Sequence, residues 1–288
     1  MKPLHENQLM EYVDAAIAGN VDALEHLLIA LKDPLFRLAL RMLGNFADAE
    51  DATQEVLIKI TTALSAFERR SSIRTWAYRV AVNHLRDLAS RRTPTIESFD
   101  AVAEQLEKGI AATADFAIAS HPDPVSELEA REVGLHCMQG ILMCLDVDER
   151  LAFVLSEVLD LDTANAAKVA NISAVAYRQR VSRARRRLEA FMGAHCGLIN
   201  ADVPCSCARQ AQALRRARNG KPIPIKFARG GDPAVADEIQ QARVEISRLQ
   251  RVALVFRASP EWSAPDGMLS RIHELLKSSP LLTNGWRQ

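Results

Sequence analysis

The stretch DTANAAKVANISAVAYRQRVSRARRRL, Asp162–Leu188, decides the fold class of this chain. Its first part reads as a short helix, 163–170, closing on Val169-Ala170. A three-residue turn follows, Asn171-Ile172-Ser173, and Ser173 is placed to cap a second helix over 174–192. Ala167 is small where two helices must touch. Asn171 takes the turn position that wants a positive φ, which Asn tolerates best after Gly. At 100° per residue Tyr177, Val181, Ala184 and Leu188 fall on one side of the second helix, and Val175, Arg178, Gln179, Ser182 and Arg186 on the other. The spacing is that of a helix-turn-helix. Laid in a major groove, the second helix would present Arg178 and Gln179 to base edges, and Arg183, Arg185 and Arg186 to phosphates. The competing reading of the same residues is an arginine-rich surface helix of an ordinary bundle.

Outward from this motif, apolar residues recur at three and four, with no sustained alternation of the strand kind, so the class is all-α. Residues 7–19, 21–43, 48–66 and 72–91 read as four helices, with Gly44-Asn45 ending the second and Ser71 or Ser72 capping the fourth. In the fourth, Ile73, Trp76, Ala77, Val80, Ala81, His84 and Leu88 share one side, and Thr75, Arg79, Val82 and Arg86 the outer one. Helices near 125–144 and 148–159 precede the motif. Helices near 205–218, 233–258 and 266–277 follow it.

Composition bounds the function. The chain has 288 residues, 48% of them apolar, and 36 Lys+Arg balance 36 Asp+Glu, which suits one to three domains with a real core. No apolar run approaches the ~18 residues of a membrane span, and MKPLHENQLMEYVDAA carries acidic and polar residues where a signal peptide has its basic end. The expected location is the cytoplasm, without membrane insertion. Five cysteines, an odd number, do not describe a secreted disulfide scaffold.

The neutral total hides strong local imbalance. Asp48, Glu50, Asp51 and Glu55 are unopposed between Phe46 and Glu55, whereas arginines 69, 70, 74, 79, 86, 91 and 92 face only Glu68 and Asp87 in the next segment. Thr93–Val133 is acidic again, with Pro94, Pro122 and Pro124, and reads as a linker. Two basic helical units separated by an acidic linker point to nucleic acid. Enzyme chemistry has no foothold: there is no phosphate-binding loop, nucleophile elbow or His-Glu-x-x-His.

Taken together, these motifs resemble the extracytoplasmic-function sigma factors, bacterial RNA polymerase subunits of the sigma-70 family that retain only regions 2 and 4. DAEDATQEVLIKITTALSAF, Asp48–Phe67, is similar to the family's core-polymerase-binding helix, and SSIRTWAYRVAVNHLRD, Ser71–Asp87, to its promoter-melting helix. LDVDERLAFVLSEV (Leu145–Val158), Ala167 and YRQRVSRARRRL (Tyr177–Leu188) match region 4 in order and spacing. The resemblance covers roughly 10–92 and 128–192. It divides the chain into region 2 (1–92), linker (93–127), region 4 (128–194) and a mainly helical C-terminal extension (195–288).

What the resemblance implies is a division of labour. Asp48, Glu50, Asp51, Gln54 and Glu55 would dock on the β′ clamp helices of core polymerase, and region 4 would also meet the β flap. A solvated acidic helix start, favoured by the helix dipole, is the competing reading of Asp48, Glu50 and Asp51. Arg69, Arg70, Arg74, Trp76, Tyr78, Arg79, Asn83 and Arg86 would hold the single-stranded minus-10 element with a flipped base, where rings and cations serve together. Trp76 lies at the edge of the apolar side and equally suits a purely structural role. Ser173, Ala174, Val175, Arg178, Gln179, Ser182, Arg183 and Arg186 would read the minus-35 duplex. Promoter DNA, core polymerase and an anti-sigma factor are the expected partners. Three departures stand out: Asp146 replaces the usual Pro, Asn165-Ala166 the usual Glu-Ile, and Ala174-Val175-Ala176 the usual polar and glycine residues, so apolar contact with a thymine methyl gains weight.

The extension is additional to a minimal two-region sigma factor. His195, Cys196, Cys205 and Cys207 place four soft or borderline ligands within thirteen positions. A zinc or other metal site, a thiol switch, or small apolar packing are the three readings, and no cofactor is required for the sigma function. Cys137 and Cys144 lie seven apart on one helical face and read as core. The basic run 209–229 would touch upstream DNA or neutralise the acidic linker in cis. The extension reads as regulatory: it is expected to pack on regions 2 and 4 and to tune promoter access, so that a cut after Ala194 changes transcription without abolishing core binding. The alternative to a sigma factor is a polymerase-independent helix-turn-helix regulator with a metal- or redox-sensing tail.

Overall fold

The computed structural model of the chain describes residues 5–91, 98–115, 123–228, 248–257 and 262–278. In chain order the helices are α1 (Glu6–Ile17), α2 (Val21–Leu43), α3 (Phe46–Ala63), α4 (Ile73–Arg91), α5 (Phe99–Ala111), α6 (Pro124–Met143), α7 (Val147–Phe153), α8 (Thr163–Ala170), α9 (Ala174–His195), α10 (Cys207–Ala217), α11 (Arg248–Arg257) and α12 (Met268–Ser278). A 3-10 turn, Leu64–Ala66, extends α3, and a π-helical turn, Val154–Val158, extends α7. Among the described residues there is no strand, as expected for an all-α chain.

Local chemistry sets the boundaries. Asn20 caps α2 by accepting the Ala23 amide at 2.9 Å, and Gly44, at φ 75°, ends it in the left-handed conformation that glycine adopts without strain. Asn45 then caps α3 at once, accepting from Ala47 and Asp48. Ser72 caps α4 through the Thr75 amide at 3.0 Å.

Two compact units result, one taking Met1–Arg92, Thr163–Ala174 and Trp262–Gln288, the other Thr93–Asp162 and Val175–Glu261. In the first, Leu9 and Val13 of α1, Leu27 and Leu38 of α2, Leu57 and Ile60 of α3, and Ile73 and Ala77 of α4 form the buried interior. Glu6 at the start of α1 accepts the Ile73 amide at 2.8 Å and so fixes the N-terminus of α4.

The second unit adds a helix to the sequence reading. Phe99–Ala111, inside the stretch read as an acidic linker, form α5: Ser98 caps it, and Val102 and Leu106 are buried in the unit's core. The Cys loop and α11 belong to the same core, which joins Ile199, Cys205, Val252, Val255 and Phe256 to Phe153, Leu188 and Phe191. The extension thus packs on region 4, as expected, and region 4 buries its apolar face on it. Its arginines also serve the linker in cis: Arg216 donates to Asp115 at 2.8 Å and Arg215 pairs with Glu129 at 3.5 Å. The helix expected over 233–258 is described only from Arg248 to Arg257; the remainder of that range lies outside the described residues.

Candidate nucleic-acid interface

On α3, Ala49, Ala52, Val56, Leu57 and Ile60 face inward, which leaves Asp51 and Glu55 exposed and Asp48, Glu50 and Gln54 half-buried at the flanks. Glu55 lies 3.2 Å from Nε2 of His84, whose Nδ1 accepts from Lys59 at 2.7 Å. Burial and the Lys59 charge push the His84 imidazole below its ordinary value. Glu50 accepts from Arg271.

The loop between α3 and α4 carries the expected strand-binding residues. Arg69 adopts φ 57° and pairs with Asp14 of α1, while Arg70 pairs with Glu68 at 2.9 Å. Between this loop and α4 lies a cavity of about 260 Å³, lined by Ala66, Phe67, Glu68, Arg70, Ser71, Thr75, Trp76, Arg79 and Lys168. Trp76 packs on Phe67 with centroids 5.4 Å apart and forms a wall of the cavity. Arg79 and Asn83 are exposed on α4. Arg74 and Tyr78 are half-buried, and burial pushes the Tyr78 hydroxyl above its ordinary value.

Two residues of α4 depart from the sequence reading. Val82, assigned to the outer side, is fully buried, and Arg86 donates to the Ala170 carbonyl at 2.8 Å. Both follow from α8 packing against α4, which carries Lys168 to the cavity. The sequence held no sign of this contact, because its residues lie more than eighty positions apart.

Asn171 closes α8 with φ 55°, and the Ile172 amide reaches back to Ala167 at 3.1 Å, as the turn chemistry demands. On α9, Tyr177, Val181, Ala184 and Leu188 are buried as expected. The Tyr177 hydroxyl donates to the Ala152 carbonyl and lies 2.8 Å from Ser156 Oγ; burial pushes it to about 12, so it stays a donor. Arg150, buried, ties the carbonyls of Leu142, Met143 and Leu145 together at the end of α6.

The outer side of α9 sorts its cations. Arg183 and Arg187 both donate to Glu149, at 2.9 and 2.8 Å, Arg180 pairs with Asp148 at 2.9 Å, and Arg185 pairs with Glu157. Ser173, Val175, Arg178, Gln179, Ser182 and Arg186 are exposed and Ala174 half-buried. Among the described residues Arg178 and Arg186 form no ion pair, and they are the cations of the set left for an anion. Arg183, expected at a phosphate, is instead held on Glu149.

His195, Cys196, Cys205 and Cys207 line a cavity of about 470 Å³, joined there by Cys137 of α6. Cys144 is buried in the core as read, and Cys137, half-buried, packs against that core and also lines the cavity with the thiols of the extension. A Cβ at Gly197 would fall 2.1 Å from the Cys205 carbonyl, so the loop closes only around a glycine there. The His195 ring packs on Phe191 at 4.9 Å. Burial, and then the neighbouring thiols, push Cys207 up to about 12, and burial also raises Cys205. The donor set is that of a soft ion, but among the described residues no three His, Cys, Asp or Glu side chains are arranged to hold one.

Comparison with known proteins accords with this geometry. Residues 27–95 match the family Sigma-70 region 2, and residues 135–188 the family Sigma-70, region 4. The chain is 27% identical over 172 residues to the ECF RNA polymerase sigma factor SigW of Bacillus subtilis, covering 59% of this chain and 89% of that one. With the ECF RNA polymerase sigma factor SigJ of Mycobacterium tuberculosis it shares 30% identity over 162 residues, 56% of this chain and 48% of that one, so it spans about half of that relative. With the probable RNA polymerase sigma-C factor of Mycobacterium bovis it shares 30% over 181 residues, 60% and 85% of the two chains. Among the described residues no helix is long and apolar enough to cross a membrane.

Proposed function

Because the chain belongs to the ECF RNA polymerase sigma factors of the sigma-70 family, we propose that it directs core polymerase to promoters with two recognised elements, and that its C-terminal extension regulates this step. The observation that carries the reading is the cavity between the α3–α4 loop and α4. It joins two aromatic walls, Phe67 and Trp76, to the cations Arg70 and Arg79, the combination that stacks and neutralises an unpaired nucleotide. Asn83, exposed on α4, can both donate and accept at a base edge.

The acidic α3 docks on the β′ clamp helices, with Asp51 and Glu55 at the centre of the contact and Asp48, Glu50 and Gln54 at its flanks; complementary charge sets orientation and association rate. The exposed face of α9 reads the minus-35 duplex through Val175, Arg178, Gln179 and Ser182, with Arg186 on phosphate, while region 4 meets the β flap. Work on promoter DNA places the protein in the cytoplasm, and an anti-sigma factor is a further partner of the same surfaces. Nothing in the reaction calls for a catalytic residue of this chain.

Binding to a fork-junction DNA with an unpaired minus-10 strand tests the reading. Arg79→Ala with Asn83→Ala weakens the polymerase-bound protein's grip on the fork about tenfold or more, at ~1–3 kcal/mol per polar base-edge contact, and leaves its hold on fully duplex DNA unchanged. Equal loss on both DNAs, or none on either, contradicts it.

A further inference from the structure

The segment that follows α11 is fixed to the α2–α3 corner of the first unit by an aromatic anchor, an amide and an arginine. Trp262 is 5% exposed. Its ring stands edge-on to Phe46, with centroids 6.4 Å apart and planes at 86°, and the Arg41 guanidinium lies 5.0 Å from its centroid. The Ala264 amide donates to Asp33 Oδ1 on α2 at 3.0 Å. Met268 and Ile272, one turn apart on α12, are both buried, and Arg271 between them donates to Glu50 on α3. Buried residues at i and i+4 with a cation at the rim are how an amphipathic helix seats in a groove.

Glu50 gives the contact its meaning. Counting 100° per residue along α3, Asp51 and Glu55 point away from the core, Asp48 stands on one flank and Glu50 on the other. The Arg271 charge therefore sits at the border of the acidic stripe and lowers the negative potential a basic partner would meet.

We propose that the α2–α3 corner is a docking surface for an amphipathic helix with a cation at its rim, which the chain fills with its own residues 262–278, and that this self-occupied form competes with core RNA polymerase for the Glu50 flank of α3. The proposal rests on the reading of α3 as the polymerase-docking helix. A corner occupied by the tail lowers the apparent affinity for polymerase by the fraction left open, and by reciprocity polymerase loosens the tail by the same factor.

The test titrates full-length protein against core RNA polymerase, beside Arg271→Glu and the double variant Trp262→Ala, Arg271→Glu. Lys221→Glu makes an equal charge change to the single variant on the second unit and controls for net charge. Asp51→Arg tests the reading of α3 itself. Arg271 is half-exposed, so its reversal leaves the fold intact, and circular dichroism confirms this for each variant. The double variant binds core about tenfold tighter, as for a tail seated in roughly 90% of molecules, with Arg271→Glu in between and Lys221→Glu like the parent. An unchanged or weaker double variant, with Asp51→Arg still losing core, overturns the tail proposal and leaves the docking reading standing. Undiminished binding by Asp51→Arg overturns the docking reading and the tail proposal together.

Discussion

Phe256 of α11 stands edge-on to Phe153 at the end of α7, with ring centroids 5.3 Å apart and planes at 81°. Both rings are buried, and with Val252 and Val255 they close the core of the second unit. Phe256→Ala should therefore cost ~3–5 kcal/mol, the range for a buried ring, and lower the melting temperature accordingly. A cut after Ala194 should give an aggregating product, because it strips Ile199, Cys205 and Phe256 from that core. A truncated protein that melts like the full chain would show the extension to be an independent appendage.

Glu132 of α6 is buried and accepts two backbone amides, Phe227 at 2.8 Å and Ala228 at 2.7 Å; Glu129, one turn earlier, accepts Ile223 at 2.9 Å. These carboxylates hold the segment after α10 where no sheet or helix satisfies its backbone. Glu132→Ala orphans two buried donors and should cost ~2–4 kcal/mol, with hydrogen exchange at Phe227 and Ala228 accelerating most. Unchanged protection at those two amides would contradict the assignment.

Arginines on α9 should divide by their partners. Arg183→Ala frees a buried Glu149 carboxylate from one of its two cations and should lower thermal stability. Arg178→Ala, exposed, should leave stability alone and weaken minus-35 binding by ~1–3 kcal/mol at one base position. Arg186→Ala should reduce the slope of affinity against salt by about one charge. Melting curves and salt titrations of the three variants would reveal the opposite pattern if Arg183 were the DNA ligand.

The thiol cavity predicts a dependence on alkali. Cys207 is raised from 9.0 to about 12 by burial first and by Cys196 and Cys205 second, so the folded state holds its proton where the unfolded chain has released it. That stabilisation is complete below pH 9 and is lost as pH rises from 9 towards 12. The melting temperature of the wild type should fall more steeply between pH 8 and 10 than that of Cys207→Ser, and iodoacetamide should label Cys207 slowly at pH 7.5 in the folded protein. Parallel melting profiles for the two proteins would contradict the shift.

Local chemistry was legible in the sequence where neighbours along the helix decide it. Asn171 at positive φ and the inward set Tyr177, Val181, Ala184 and Leu188 follow from turn and period alone. Helix α5 was hidden because nine acids and three prolines between Thr93 and Val133 outweighed the apolar period of Phe99, Val102 and Leu106. Val82 and Arg86 were misread for another reason: α8 covers that side of α4, and a covered face has no signature on the helix that is covered. Likewise Cys137 joins Cys205 and Cys207 only through the packing of α10 on α6.

The central claim is that this chain makes core polymerase select promoters. Run-off transcription on fragmented genomic DNA, with core polymerase and the full-length protein and with 5′ ends sequenced, tests it most directly. The account predicts discrete starts that core alone does not give, each behind a shared two-block motif. The starts should vanish with Asp51→Arg, and the downstream block should lose its hold with Arg79→Ala, Asn83→Ala. Starts identical to those of core alone, from the parent and from the uncovered variant Trp262→Ala, Arg271→Glu, would contradict it.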